Sequence, residues 1–490
     1  MSLEPQSQQH TRYTRIRVHN EDDFRRLYPL ILDYIREPEL ASSVKEFVFR
    51  SHLPLHATYF GNRDRLAAER AEELSRDISQ EHSISRLVTD LGIEEPEKSD
   101  WVRVLTWMKP ELVAEREETL AGTAGTWQIS SFARHRNKLF SHYAAAVLLM
   151  LCPNIEVLKY EGGSRIVEGI LRRNNYGLLP ATHLKKLRDV TILPTSETIL
   201  GDDRFYTRLD ILAMLRLFHR LPAIESVSTD AVGPNNGGGY VDQFPPATSN
   251  LKRIYVGHAI YGTDVIGPLI RVPKRLGEFT FTTGGRCNLG GGYLARCAKT
   301  IGKALYEHKS SLRKVDIDID EYIGGDEQSD DESPADEENQ DEWYSRDREI
   351  STGPLTTARI RSTREYGATI GSMHDFESLT HLSIGIGLLL GGHSWGVNEN
   401  EEAPFRLADA LPKSLQYLLI RGYERGKVAR YDSQIDEFML TRQDRLPSLT
   451  ELHGIDEMIP IGLSVKHPDE NEDQLWQPEI PNDEWVEALS

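Results

Sequence analysis

Residues Gly371–Gly392 read GSMHDFESLTHLSIGIGLLLGG, and after a polar loop Leu407–Ile420 read LADALPKSLQYLLI. One small pattern occurs twice in them, Leu379–Leu382–Ile384 and Leu415–Leu418–Ile420, each spaced L-x-x-L-x-I. The last two apolar positions are two apart, the period of a strand whose side chains alternate between faces. Before the second copy Leu407, Ala410 and Leu411 mark a brief helical run, closed by Pro412. Helix, corner, strand is one unit, and its recurrence predicts stacked repeats rather than a single closed core.

The same line recurs along the chain: Val44–Phe47–Phe49, Ile155–Leu158–Tyr160, Leu187–Val190–Ile192, Ile224–Val227–Thr229, Leu251–Ile254–Val256, Leu276–Phe279–Phe281 and Leu312–Val315–Ile317, with a weaker copy at Leu449–Leu452. From Ile155 onward, spacing is irregular, roughly 25–37 residues apart from one longer gap, and helical linkers are legible between lines. Leu294, Cys297, Ala298, Ile301 and Leu305 make one apolar stripe, and Thr207–His219 reads alike through Leu209, Leu212 and Leu215. The expected fold is α/β: an irregular leucine-rich-repeat solenoid, parallel strands inside and helices outside, with an N-terminal helical cap.

At the amino end Ile16 and Val18 alternate before Asn20, which with Asp23 resembles a capping box. Phe24, Leu27, Ile31 and Ile35 follow at helical spacing; Pro29 predicts either a kink or the true start of that helix, and Pro38 its end. Arg65–Gln80, a segment capped by Ser99 and stopped by Pro110, and Phe132–Cys152 read as three further helices. The resulting organisation is a cap and first strand line (1–60), a helical insert (61–150), a first repeat array (151–320), an acidic loop (321–350), a second array (351–467) and an acidic tail (468–490).

The net charge of −19 is concentrated. Residues 326–342 carry ten acidic side chains and residues 468–490 eight, neither with a Lys or Arg, so the remaining body is nearly neutral. That predicts no nucleic-acid or anionic-membrane partner, because no basic stripe is left to face phosphates; Arg134–Lys138, the densest basic cluster, suits the polar side of a helix. An apolar-free block of like charge cannot offset its ordering entropy, so 321–350 is expected to be disordered. Cys152, Cys287 and Cys297 are few and lack metal spacing, Met1–His10 lacks an apolar signal core, and Ala144–Cys152 falls short of the roughly 20 residues of a membrane span. An intracellular protein, cytoplasmic or nuclear, is expected.

Chemistry-bearing patterns are weak. Gly392-His393-Ser394-Trp395-Gly396 is a literal G-x-S-x-G, with Ile384–Leu390 available as the preceding strand and Asp436 with His453 or His467 as partners. The residues after it, Val397–Glu402 and Pro404, open no good helix, and a loop is the preferred reading. The glycine clusters 235–240 and 284–293 fit neither phosphate-binding fingerprint, though the second lies between a strand and a helix. The 16 histidines show no metal spacing. No catalytic residue, metal or cofactor is expected. Ser329 (S-D-D-E) and Ser333 (S-P-A-D) sit where acidophilic kinases act, making them candidate phosphorylation sites. In the tail, Trp476 and DEWVEAL (Asp483–Leu489) predict either packing onto the last repeat, which is preferred, or a docking peptide.

Leu148–Leu158 (LLMLCPNIEVL), Gly371–Gly392 and Leu407–Ile420 resemble recurring segments of F-box/leucine-rich-repeat-like proteins of filamentous fungi, and Glu37–Phe49 is similar to the segment that follows the F-box there. The likeness spans about Arg12 to Gly454. It implies substrate recognition in a ubiquitin ligase and, through the F-box, a cullin-ligase adaptor as partner. The Leu-Pro-x-Glu-like stretch that opens an F-box is not found before the first helix, so the repeat region carries the resemblance. The expected function is a non-catalytic protein–protein interaction module; a ligase receptor in which residues 12–50 form the docking helices, and a serine hydrolase using Ser394, are the alternatives.

Overall fold

The computed structural model describes residues 12–51, 76–79, 81–114, 131–194, 205–234, 244–286, 298–319, 366, 369–391, 403, 405–462 and 483–488. They form two compact units: 1–196 with 216–224 and 480–490, and 197–215 with 225–479. Both are mixed α/β with mostly parallel sheets.

In the first unit β1 (Tyr13–Val18), β2 (Glu46–Phe49), β3 (Val157–Glu161) and β4 (Asp189–Leu193) run parallel, each beside the next. The apolar lines fall in register, Phe47 opposite Leu158 opposite Val190. Asn20 caps the helix Glu21–Arg36 with a complete capping box through Asp23. This helix starts at Glu21 and continues through Pro29, which costs one backbone hydrogen bond but leaves Leu27, Leu30, Ile31 and Tyr34 buried. It neither begins nor stops at the proline, because burial of its apolar face outweighs the missing bond. The long helix Ser131–Leu151 packs against it, fully buried from Ala144 to Leu149.

Two expectations for this region are corrected. Ser99 lies inside the helix Glu97–Leu105 rather than capping it, its hydroxyl turned back to Glu95 Oε2 at 2.7 Å. Arg76–Ser79, the described end of the expected helix 65–80, is coil and turn, while an unforeseen helix spans His82–Asp90.

The second unit holds β5 (Thr207–Arg208) paired with β7 (Val232–Gly233), and a parallel sheet of β6 (Ser226–Asp230), β8 (Arg253–Gly257), β9 (Glu278–Thr282), β10 (Lys314–Asp318), β11 (His381–Gly385), β12 (Tyr417–Arg421) and β13 (Glu451–His453) in that order. Val227, Ile254, Phe279, Val315, Leu382, Leu418 and Leu452 form one ladder across it. Between strands lie the helices Thr263–Arg271, Ala298–Tyr306, Ile386–Leu390, Leu407–Ala410 and Ala429–Arg445. Thr207–His219 is helical only over Ile211–Leu215. Its start is held extended by bonds from Thr207 N–H to the Ala231 carbonyl (3.1 Å) and from Leu209 N–H to the Gly233 carbonyl (2.8 Å).

One backbone device repeats in both units. The carbonyl just before a strand accepts two consecutive N–H groups from the entry of the next strand. Lys45 serves Glu156 and Val157, Lys252 serves Gly277 and Glu278, Arg313 serves Thr380 and His381, and Gln416 serves Thr450 and Glu451. These bonds measure 2.8–3.1 Å. The first apolar residue of each line (Leu276, Leu312, Leu379, Leu415) is fully buried behind that corner. Repeating the corner is what keeps the register, since a slip by one residue would turn every buried side chain outward.

Candidate functional site

Because strand side chains alternate, burying one face of the second unit's sheet leaves the other face to the intervening residues. Two rows result. Ser226, Arg253, Glu278, Lys314, His381, Tyr417 and Glu451 are in register in the first; Ser228, Tyr255, Thr280, Asp316, Ser383, Leu419 and His453 in the second. Arg253, Tyr255, Lys314, His381 and His453 are exposed and Tyr417 and Leu419 half-buried. The His381 and Tyr417 rings stack at 5.8 Å with 22° between planes, and Tyr417 meets His453 at 5.4 Å. Three rings on adjacent strands thus touch in succession, the first pair stacked and the second tilted by 43°. The Ser383 hydroxyl, on the same face, is buried without a hydrogen-bond partner among the described residues.

At the carboxyl ends of these strands charges are locked together. Arg421 reaches Asp316 Oδ1 at 2.9 Å and Asp318 Oδ2 at 3.5 Å. Asp318 accepts the Gly462 N–H on both oxygens, at 2.9 and 2.8 Å. Burial raises the Asp318 carboxyl above the usual carboxylate range, opposed by the Gly462 amide and Arg421. His258 Nδ1 meets Asp230 Oδ1 at 2.8 Å, with His258 itself at φ 43° in the turn that follows β8. The donors and acceptors of these pairs are engaged with one another.

Of the residues singled out in the sequence, Ser329, Ser333, Ser394 and the glycine cluster 235–240 lie outside the described residues, as does His467. Ile386–Leu390 is a helix rather than the continuation of a strand, so the segment leading to Gly392 lacks the strand that a strand-to-helix nucleophile turn requires. Asp436 is paired with Arg425 at 2.9 Å and His453 lies against Tyr417. Gly284 and Gly285 adopt positive φ, and the Gly284 carbonyl accepts the Tyr206 hydroxyl at 3.1 Å. Cys152 is buried, which pushes its thiol far up. Among the described residues no cluster of three or more His, Cys, Asp or Glu is placed to hold a metal ion, and no helix is long and apolar enough to cross a membrane.

The exposed rows are invisible to a pattern built on the apolar positions of each line. The signal was present in the residues between them, where His381, Tyr417 and His453 recur at neighbouring lines. The DEWVEAL segment does pack back on the protein, but onto β1 rather than the last repeat: Val486–Glu487 pairs antiparallel with β1.

No family model matches the chain, and no curated protein compared with it does either.

Proposed function

We propose that this chain is a non-catalytic protein-binding module of leucine-rich-repeat type, recognising a protein partner through the exposed rows of its second-unit sheet. The His381–Tyr417–His453 ring ladder carries the reading. Tyr417 stands between two exposed histidine rings, an aromatic anchor of the kind interface centres favour, and Arg253, Lys314 and Asp316 on the same face supply the polar surround. The repeated corner carbonyls and in-register apolar ladder support the repeat assignment. A ligase role would further require a docking module, and residues 12–51 form β1, one long helix, a short helix and β2. The proposal is therefore confined to recognition.

The test is affinity capture from cell extract with the intact chain, with Tyr417→Ala/His381→Ala, and with Arg425→Ala/Arg445→Ala away from that face. A partner retained by the intact chain and the second variant but lost from the first is expected. Recovery of the same proteins with all three would overturn the assignment.

A further inference from the structure

In the first unit the tail contributes its charge to a built site. Asp483 is buried between Arg50 (3.2 Å) and Lys159 (2.8 Å). Glu484 reaches Arg17 at 2.8 Å. Trp485 sets its ring edge-on to Tyr13 at 5.0 Å, beneath the guanidinium of Arg26 at 5.8 Å, and donates its indole N–H to Asp23 at 2.7 Å. Ala488 N–H then bonds the Arg12 carbonyl at 2.8 Å. The tail thus fills a cation pair, an aromatic slot and a strand edge in sequence.

Two features make this an exchangeable occupant. The tail strand is two residues long and covers only Tyr13 and Arg15 of the six-residue β1, with a register irregularity between them. Glu484, Val486 and Glu487 remain exposed, so Asp483 and Trp485 do most of the anchoring. A segment of the same chemistry supplied by another chain would use the same two anchors and the same short pairing with β1.

We propose that the β1 edge, together with Arg17, Arg50, Lys159 and the Trp485 slot, is a binding site for an extended acidic peptide bearing a tryptophan, presented by a partner protein, and that residues 483–488 occupy it in cis. The site lies in the first unit and does not depend on the sheet face described above. An attached tail competes at an effective concentration on the order of millimolar, so a free peptide must displace it.

The experiment is fluorescence anisotropy of a labelled synthetic peptide spanning residues 480–490, titrated with the full chain and with full-length Asp483→Ala/Trp485→Ala. The double variant is expected to bind the peptide at least about tenfold tighter than the unaltered chain, since its own tail no longer competes. Adding Arg50→Glu, or replacing the peptide's tryptophan by alanine, is expected to abolish that gain. A folded double variant that binds no tighter than the unaltered chain, or equally well with Arg50→Glu, overturns the proposal. Hydrogen exchange on the unaltered chain is a second reading should the variant fail to fold. The Ala488 amide is expected to exchange at least a hundredfold faster than that of Phe47, and equal rates would make the tail an integral part of the unit and refute exchange.

Discussion

Trp485 donates its indole N–H to Oδ1 of Asp23, the residue that completes the capping box of the first helix. Asp23 is 2% exposed and accepts in addition from Arg17 Nε (3.0 Å) and Nη2 (3.2 Å) and from the amides of His19 (3.0 Å) and Asn20 (3.1 Å). One carboxylate therefore joins a strand, a helix start and the tail.

Asp23→Ala leaves Arg17 and two amides without that acceptor, and the expected loss is about 3 kcal/mol. Trp485→Phe removes one bond to a charged acceptor and should cost about 1.5 kcal/mol. Urea unfolding of the two variants checks the ranking, and a larger loss for Trp485→Phe would contradict it.

Two glycines predict changes of opposite sign. A Cβ on Gly302 would overlap the backbone carbonyl of Ile370, which cannot rotate away, so Gly302→Ala should destabilise by about 1–3 kcal/mol. Gly169 lies inside the helix Arg165–Asn175 with nothing near the added methyl, so Gly169→Ala should stabilise by about 0.5–1 kcal/mol. Thermal midpoints moving in the same direction would refute the pair.

Acid should unfold the protein through its buried histidines. Burial, helped by Arg220 and Arg216, pushes His219 down to about 4, and burial lowers His308 as well. His308 Nδ1 accepts the Leu276 N–H at 3.2 Å while Nε2 faces the Ile270 carbonyl at 2.8 Å, so a second proton on Nδ1 would meet another donor. A folded pKa below the unfolded one means the unfolded chain binds the extra proton. Stability is thus complete above about 6.5 and falls as pH drops towards 4, by about 3 kcal/mol for His219. Unfolding free energies between pH 7.5 and 4.5 should decline with this sense, less steeply in His219→Leu.

Arg421→Ala should cost about 2 kcal/mol at pH 7, because Asp318 stays buried after losing its cation. Arg421 opposes the upward push of burial on Asp318, so the variant's carboxyl rises further and protonates more readily. The deficit is expected to shrink between pH 7 and 5 in parallel urea titrations; a deficit that grows would be inconsistent with this pairing.

The strand lines from Val44 to Ile420 were legible because each is a local, period-two pattern whose apolar members are buried, whereas the last, Leu449–Leu452, is weak because both residues remain partly exposed. The helix Ala429–Arg445 was overlooked, its buried side being only Tyr431, Ile435 and Phe438. Thr207–Arg208 looked helical, yet backbone bonds to Ala231 and Gly233 made it a strand. Which candidate site residues come together was legible least of all.

The sequence by itself determined which side chains of each strand turn inward, since apolar burial depends only on residue type and spacing. Tertiary structure alone decided that His381, Tyr417 and His453 stand side by side on one face, that Asp483 settles between Arg50 and Lys159, and that Trp485 settles against Tyr13 and Asp23. Those neighbours are set by register and by contacts across hundreds of residues, where local pattern exerts no force and long-range hydrogen bonds and charge pairing do.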